Sequence, residues 1–232
     1  MSSQPNPGNR GLNRNEIDRK ANDVVHLMLV WEQKKIPIKR QDINKFVMKD
    51  YRSSFNEVLH IADKKLQKVF GLKIEEIGES SKKAYILKNI ADHPSHENPL
   101  LKLWQNDPKM GLITVILTLI FMSGNVISEG ALWSSLKRMN NIEKDKIHPK
   151  FGDVKKLITH ELVRQMYLEQ TKVPNCDPPQ FEYRWGQRAF HETSKRQLLE
   201  FVTMLYGKSE IGVWKSQYQD MVDYEQNQAE LM

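Results

Sequence analysis

An order of three helices followed by a two-stranded hairpin, met twice along 232 residues, predicts a mainly α protein with small β-hairpins (α+β). Two further observations support this class. Hydrophobic residues make up 39% and charged residues 28%, an ordinary composition for a chain that buries a core. The one cysteine, Cys176, cannot make an internal disulfide or hold zinc by itself, which excludes a disulfide scaffold and a Cys-based zinc finger.

The first helix starts near Glu16, with Ile17, Ala21, Val24, Val25 and Met28 at helical spacing. Lys34, Lys35 and Pro37 end it. A short helix is expected from Arg40 to Met48. A longer one runs from Phe55 to Phe70, with Val58, Leu59, Ala62, Leu66 and Val69 facing inward and Gly71 as its stop. Leu72 to Ile77 and Ala84 to Ile90 then read as strands around a polar turn. The stretch from Asp92 to Pro108, with three prolines and two histidines, reads as a linker.

Beyond it the order returns. Lys109 to Ser123 forms a helix, Gly124-Asn125 turns the chain, and Ser128 caps a second helix carrying Ala131, Leu132, Leu136 and Met139. A third helix is expected from Gly152 to Glu169. Phe181, Tyr183 and Trp185 alternate with Glu182 and Arg184 as a strand, and a last helix spans Glu192 to Leu205. Three helices closed by a hairpin describe a winged helix, so the expected architecture is tandem winged-helix domains. The expected boundaries are a disordered tail at 1–14, domain A at 15–92, a linker at 93–108, domain B at 109–208 and an acidic tail at 209–232.

Lys plus Arg number 35 against 29 Asp plus Glu, a net charge of +6. Residues 217–232 hold four acids and no Lys or Arg, so the remainder carries +10. That excess suits a polyanion partner. The N-terminal stretch is polar and does not read as a signal peptide, and the apolar run from Gly111 to Met122 is far shorter than the roughly 20 residues of a spanning helix. An intracellular protein with no membrane role is the expectation. HExxH, a nucleophile elbow, a P-loop and a dinucleotide glycine motif are all missing, so no enzyme, no cofactor and no metal are expected. His191-Glu192 reads as the opening of a helix, with Glu192 answering the helix dipole.

Three groups of residues stand out. Between Lys137 and Lys172 nine Lys/Arg face five Asp/Glu. Lys146 and Lys150 precede the third helix of domain B, Lys155, Lys156 and Arg164 lie on it, and Lys172 and Arg184 lie on its wing. Such residues can neutralise phosphates without reading bases, so duplex DNA is one reading of the patch. The alternative is a solvated face. In the first helix, Leu27, Leu29, Val30 and Trp31 extend the apolar surface beyond one stripe, as a second neighbour would require, and Val25, Met28, Leu29 and Trp31 are the candidate contact residues. In domain B, Trp133, Leu136, Leu198, Phe201 and Val202 offer apolar surface for a partner helix. For both apolar groups the alternative is ordinary core packing.

The run Tyr167-Leu-Glu-Gln-Thr-Lys-Val-Pro-Asn-Cys-Asp-Pro-Pro-Gln-Phe-Glu-Tyr-Arg-Trp-Gly186 continues as Gln187-Arg-Ala-Phe-His-Glu-Thr-Ser194. It resembles the signature of the melanoma-antigen (MAGE) homology domain family. Gly111 to Asn125, Ile127-Ser-Glu129, Leu132-Trp133 and Lys34 to Arg40 resemble the family as well, so the likeness covers roughly residues 16–206. Met28-Leu29 stands where the family has a dileucine, Gln187 where it has proline and Gln170 where it has tyrosine. Within the family the chain is most similar to the MAGE-type subunit of SMC complexes of the five/six type. That resemblance implies tandem winged helices, a RING-type ubiquitin ligase subunit contacted at Met28-Leu29, beside which Val25 and Trp31 lie, and a kleisin-type subunit, for which the apolar group of domain B is the candidate surface. It also implies duplex DNA binding, a nuclear, chromosome-associated location, and roles in DNA repair and chromosome maintenance. Two other readings remain: a MAGE adaptor of a RING ligase that makes no DNA contact, and a stand-alone winged-helix transcription factor.

Overall fold

The computed structural model describes residues 13–49, 51–78, 83–90 and 107–230. The chain divides into two compact units, Met1–Asp92 and His93–Met232. Each is helical with one small three-stranded antiparallel sheet, as expected of tandem winged helices. The expected linker at 93–108 lies, up to residue 106, outside the described residues, as do residues 1–12 of the expected tail.

In the first unit, helix α1 (Arg14–Glu32) begins at a reciprocal cap. The Glu16 N–H donates to Asn13 Oδ1 and the Asn13 N–H donates to Glu16 Oε2, both at 2.9 Å. Two otherwise orphaned donors are thereby satisfied, an arrangement that stabilises a helix start by about 1 kcal/mol. Ile17, Ala21, Val24 and Met28 form its buried stripe. The chain then enters β1 (Ile38–Lys39) and α2 (Arg40–Ile43), which continues as a π turn over Asn44–Met48. Lys20 Nζ donates to the Val47 carbonyl at 2.7 Å, tying that widened turn to α1. Helix α3 (Phe55–Phe70) buries Phe55, Val58, Ala62 and Leu66 against α1. Val69, expected to face inward, is 68% exposed because the last turn of α3 runs past the edge of the core. Gly71 closes the helix in the left-handed conformation, φ 63°, which costs a residue without Cβ little. Strands β2 (Leu72–Ile77) and β3 (Ala84–Asn89) pair from Leu72↔Asn89 to Ile77↔Ala84, and β1 joins the other edge of β3 through Ile38↔Tyr85.

The second unit repeats the plan. Helix α4 (Pro108–Met122) is capped by Asp107 with proline at its first position, where the missing N–H costs nothing. It buries residues on several faces, so Thr114 and Thr118 satisfy their hydroxyls on the carbonyls of Met110 and Thr114. No helix among the described residues is long and apolar enough to cross a membrane. Strand β4 (Ile127–Ser128) leads into α5 (Glu129–Asn140), whose Ala131 N–H is capped by Ser128 Oγ. The third helix, α6, is composite: Val154–Lys156, a π turn over Leu157–Glu161, and Leu162–Arg164. It stops short of the expected Glu169. Met166 takes a left-handed conformation, φ 64°, and residues 168–172 leave the helix to become β5 (Leu168–Lys172). Pairing with β6 (Phe181–Trp185) outweighs the helical pattern there. Strand β4 completes the sheet through Ile127↔Tyr183.

Helices α7 (Gln187–Glu192), α8 (Lys195–Leu205) and α9 (Lys215–Glu230) close the unit. Much of the segment expected as an acidic tail is therefore helix α9, and its Met221 sits in the core with Ile116, Phe121 and Leu198. Glu192 ends α7 rather than opening a helix, and accepts hydrogen bonds from Arg188 Nη1, at 2.8 Å, and from the Tyr167 hydroxyl.

The root of the wing is the tightest point of this unit. The Gly186 N–H donates to Tyr167 O at 2.8 Å and the Arg188 N–H to Met166 O at 3.0 Å. A Cβ on Gly186 would lie 2.3 Å from that same Met166 carbonyl oxygen, so glycine is required by close approach rather than by its φ. We expect Gly186→Ala to lower the stability of the second unit by ~3 kcal/mol, read as a fall in its urea midpoint at unchanged slope. A midpoint within error of wild type would show that the two segments separate at no cost.

Candidate functional site

The basic residues singled out in the second unit are positioned by the loop before α6, by α6 itself and by the β5–β6 wing. The loop is fixed by its own backbone: His148 and Gly152 exchange two hydrogen bonds of 2.8 Å. His148 Nδ1 accepts from the Lys150 and Phe151 N–H groups at 3.2 and 3.3 Å, and the ring stacks on Phe151 at 4.7 Å. Asp153 then caps α6 by accepting from the Lys156 N–H at 2.9 Å. Val154, Leu157, Ile158 and Leu162 face the core, which leaves Lys155, Lys156, His160 and Arg164 in solvent. The π turn carries Thr159, whose hydroxyl bonds the Lys155 carbonyl at 2.8 Å and lies 2.6 Å from His160 Nδ1.

All seven basic candidates are exposed, but they are not equivalent. Lys155 Nζ pairs with Asp145 at 2.9 Å, Lys146 with Glu143 at 3.0 Å, and Arg184 lies 4.0 Å from Glu182. The hydrogen bond to Asp145 raises Lys155 above the usual lysine value and holds the Asp145 carboxyl below its own. Lys146 likewise lowers Glu143. Lys150, Lys156, Arg164 and Lys172 have no such acidic neighbour among the described residues. These four carry uncompensated charge. Charge counting cannot separate the two sets, because Asp145 reaches Lys155 across ten residues of loop.

The apolar candidates divide in the same way. Met28 is 1% exposed and belongs to the core of the first unit. Val25 and Leu29, one helical turn apart, lie half-buried on one flank of the buried stripe, whereas Trp31 lies on the other. Val30 faces away from the core at 45% exposure. In the second unit Trp133, Leu136, Leu198, Phe201 and Val202 are all core residues. The apolar side chains left in solvent at that end are Met204, Leu205, Tyr206 and Val213. The sequence pattern pointed to the buried residues because periodicity marks a core stripe, not what projects beside it.

Sequence reasoning also missed Arg188. It is fully buried, with Nε on the Gln165 carbonyl at 2.9 Å, Nη1 on Glu192, and the Tyr167 ring 5.6 Å away. Its place three residues after Trp185, inside the quoted signature, was the available signal. No group of His, Cys, Asp and Glu among the described residues is placed to hold a metal ion. Among the described residues of the first unit, an open surface hollow of about 580 Å³ lies beside Arg14, Asp18 and Arg19, and another of about 270 Å³ beside His60, Asp63 and Tyr85.

Two helical units, each closed by a three-stranded antiparallel sheet, define the class of tandem winged-helix proteins. A model described as the MAGE homology domain matches residues 24–196. The chain is 40% identical over 214 residues to the human non-structural maintenance of chromosomes element 3 homolog, which spans 92% of this chain and 69% of that protein. The mouse counterpart is 39% identical over 227 residues, 98% of this chain and 79% of that one. Human melanoma-associated antigen D2 is 38% identical over 207 residues, and the chain spans only 33% of its length. Among solved structures, a chain of an Nse1-Nse3-Nse4 complex superimposes with a TM-score of 0.81 at 43% identity, over 90% of this chain and 99% of that chain. The chain belongs to the MAGE homology domain family.

Tyr183, on the buried face of wing strand β6, has its phenol pushed up to about 12, first by burial and then by Glu129, against the hydrogen bond from Gln170. A raised folded value keeps the phenol neutral while the unfolded chain ionises, so this contribution is intact below pH 10 and is lost as pH rises toward 12. We expect the second unit to lose up to ~3 kcal/mol through this residue over that range. Chemical unfolding of wild type and Tyr183→Phe at stepped pH reads the difference. Parallel pH profiles for the two would remove Tyr183 from the account.

Proposed function

We propose that this protein is a non-catalytic scaffold subunit of an SMC five/six-type complex. It binds a RING-type ubiquitin ligase subunit (non-SMC element 1) and a kleisin-type subunit (non-SMC element 4), contacts duplex DNA, and acts on chromosomes in the nucleus, in DNA repair and chromosome maintenance. The observation that carries this reading is the 43% identity across 99% of the chain from the Nse1-Nse3-Nse4 complex. The solvent-exposed Lys150, Lys156, Arg164 and Lys172 support the DNA contact, in the third-helix and wing positions from which this fold meets nucleic acid. Lys146, Lys155 and Arg184 join them at higher cost, since each must exchange a carboxylate for a phosphate. For the RING-type partner the supporting surface is Val25 and Leu29, with Trp31 beyond and Met28 as the buried support beneath. For the kleisin-type partner, Trp133, Leu136, Leu198, Phe201 and Val202 shape the unit from within, and Met204, Leu205 and Tyr206 meet the partner.

A second reading, an adaptor of a RING ligase that leaves DNA alone, is favoured by the pairing of Lys146 and Lys155 with acids. Mobility shift of duplex DNA across a salt series separates the two. The scaffold reading expects sequence-tolerant binding that weakens steeply with salt. Lys150→Glu with Lys156→Glu should reduce the salt slope by about 2 and weaken binding more than Lys146→Glu with Lys155→Glu. No binding at low salt sinks the DNA contact, and preference for one duplex by about 1,000-fold favours a transcription factor.

For the ligase partner, Val25→Asp with Leu29→Asp should abolish co-purification of the RING subunit while leaving the helical signal unchanged. Met28→Asp is uninformative because it buries a charge in the core. Undiminished co-purification places the interface elsewhere.

A further inference from the structure

Helix α9 is held in an unusual way for a closing helix. Its residues facing the unit are Gln217, Asp220, Met221, Tyr224 and Glu225, the spacing of one helical face. Only Met221 is fully buried. Val222 packs part-buried beside it, and the rest of the grip is polar and aromatic. Lys195 Nζ pairs with Asp220 at 2.6 Å and lies 5.5 Å from the Phe121 ring and 5.2 Å from the Tyr224 ring. Arg196 holds Glu225 with both arms, Nε at 2.9 Å and Nη2 at 2.6 Å. Tyr224 stacks on Phe190 at 5.7 Å, and Gln217 reaches the Met122 carbonyl at 3.1 Å. The receiving surface, made by the end of α4 and by α7 and α8, is thus an aromatic groove with two cations.

We propose that this groove is a docking site for an acidic amphipathic helix of a partner protein, and that α9 occupies it in cis as a displaceable latch. Lys195 is the key to the chemistry. At 6% exposure beneath α9 it is a covered cation that needs a carboxylate at that position, so an apolar or basic helix is refused. The fitting partner carries an acid, a flexible apolar residue next to it, an aromatic residue four positions after the acid and a second acid next to that, which is the order of Asp220, Met221, Tyr224 and Glu225. Exchange exposes Lys195 to water only in passing, and the incoming helix restores each ion pair that α9 gives up. The hold of α9 is strengthened mainly by its tether, which gives it an effective concentration on the order of millimolar. This inference stands on the geometry of α9 and is independent of the DNA and ligase readings above.

The test uses the full chain and a fluorescein-labelled peptide of residues 215–230 as probe. Asp220→Lys with Glu225→Lys releases the latch and leaves the groove intact. That variant is expected to bind the peptide at least about tenfold more tightly than wild type, whose groove is filled, by fluorescence polarisation. Hydrogen exchange should rise over 215–230 and stay protected in α4 and α8. A register check keeps the result specific: adding Arg196→Glu to the released chain should weaken the native peptide and restore binding of a peptide carrying Glu225→Arg. Equal peptide affinity in wild type and the released variant overturns the proposal. Failure of the released variant to unfold cooperatively, or its failure to bind the peptide, overturns it too, because α9 is then a structural part of the unit.

Discussion

The second unit depends on one close approach, that of the wing root to the end of the third helix. Gly186 brings the backbone against the Met166 carbonyl where no side chain fits. Around that contact the Arg188 guanidinium, wholly out of water, bonds the Gln165 carbonyl and Glu192. Trp185 reaches the other way, its indole N–H on the Leu117 carbonyl at 2.9 Å and its ring 6.2 Å from Phe121. A buried cation is tolerable only with all its donors engaged. The Arg188 and Trp185 bonds tie the end of α6, the wing and α4 together. The basic residues of α6 and of the wing are carried on these connected elements.

Electrostatics then grades that surface. The loop before α6 supplies acids as well as lysines, and Asp145 and Glu143 neutralise the lysines nearest to them. What remains is a small set of uncompensated cations around the helix and wing. For the proposed DNA contact, such an arrangement gives a moderate affinity that salt tunes. The same logic recurs at α9, where two cations and the Phe121 and Phe190 rings grip a helix whose apolar anchors are Met221 and, part-buried, Val222. Contacts of that kind are specific in register but modest in strength, which is what an exchangeable interaction needs.

Much of this was legible without coordinates. Ile17, Ala21, Val24 and Met28 announced the buried stripe of α1 by spacing, and Gly71 announced the end of α3. The alternation of Phe181, Tyr183 and Trp185 announced the wing. The strands β1 and β4 were not legible, because two residues carry no period. The end of α6 was misjudged, because cross-strand pairing with β6 outweighs the local pattern of residues 165–169. Val69 was misplaced because periodicity says which side of a helix is apolar, not where the core ends, and for the apolar candidates of the second unit it could not separate partner surface from the core in which they lie.

By itself the sequence determined the repeat of helices and hairpins, the family signature around Trp185-Gly186, the basic excess of the body and the acids near the C-terminus. These follow from local rules, in which residue type and spacing act over one or two turns. Only the tertiary structure decided which lysines are already paired, that Met28 supports a surface rather than forming it, and that the acidic segment folds back onto Lys195 and Arg196. Those outcomes depend on groups 10, 25 and 29 residues apart meeting within hydrogen-bond distance. Such meetings are set by how the elements pack and leave no mark in local spacing.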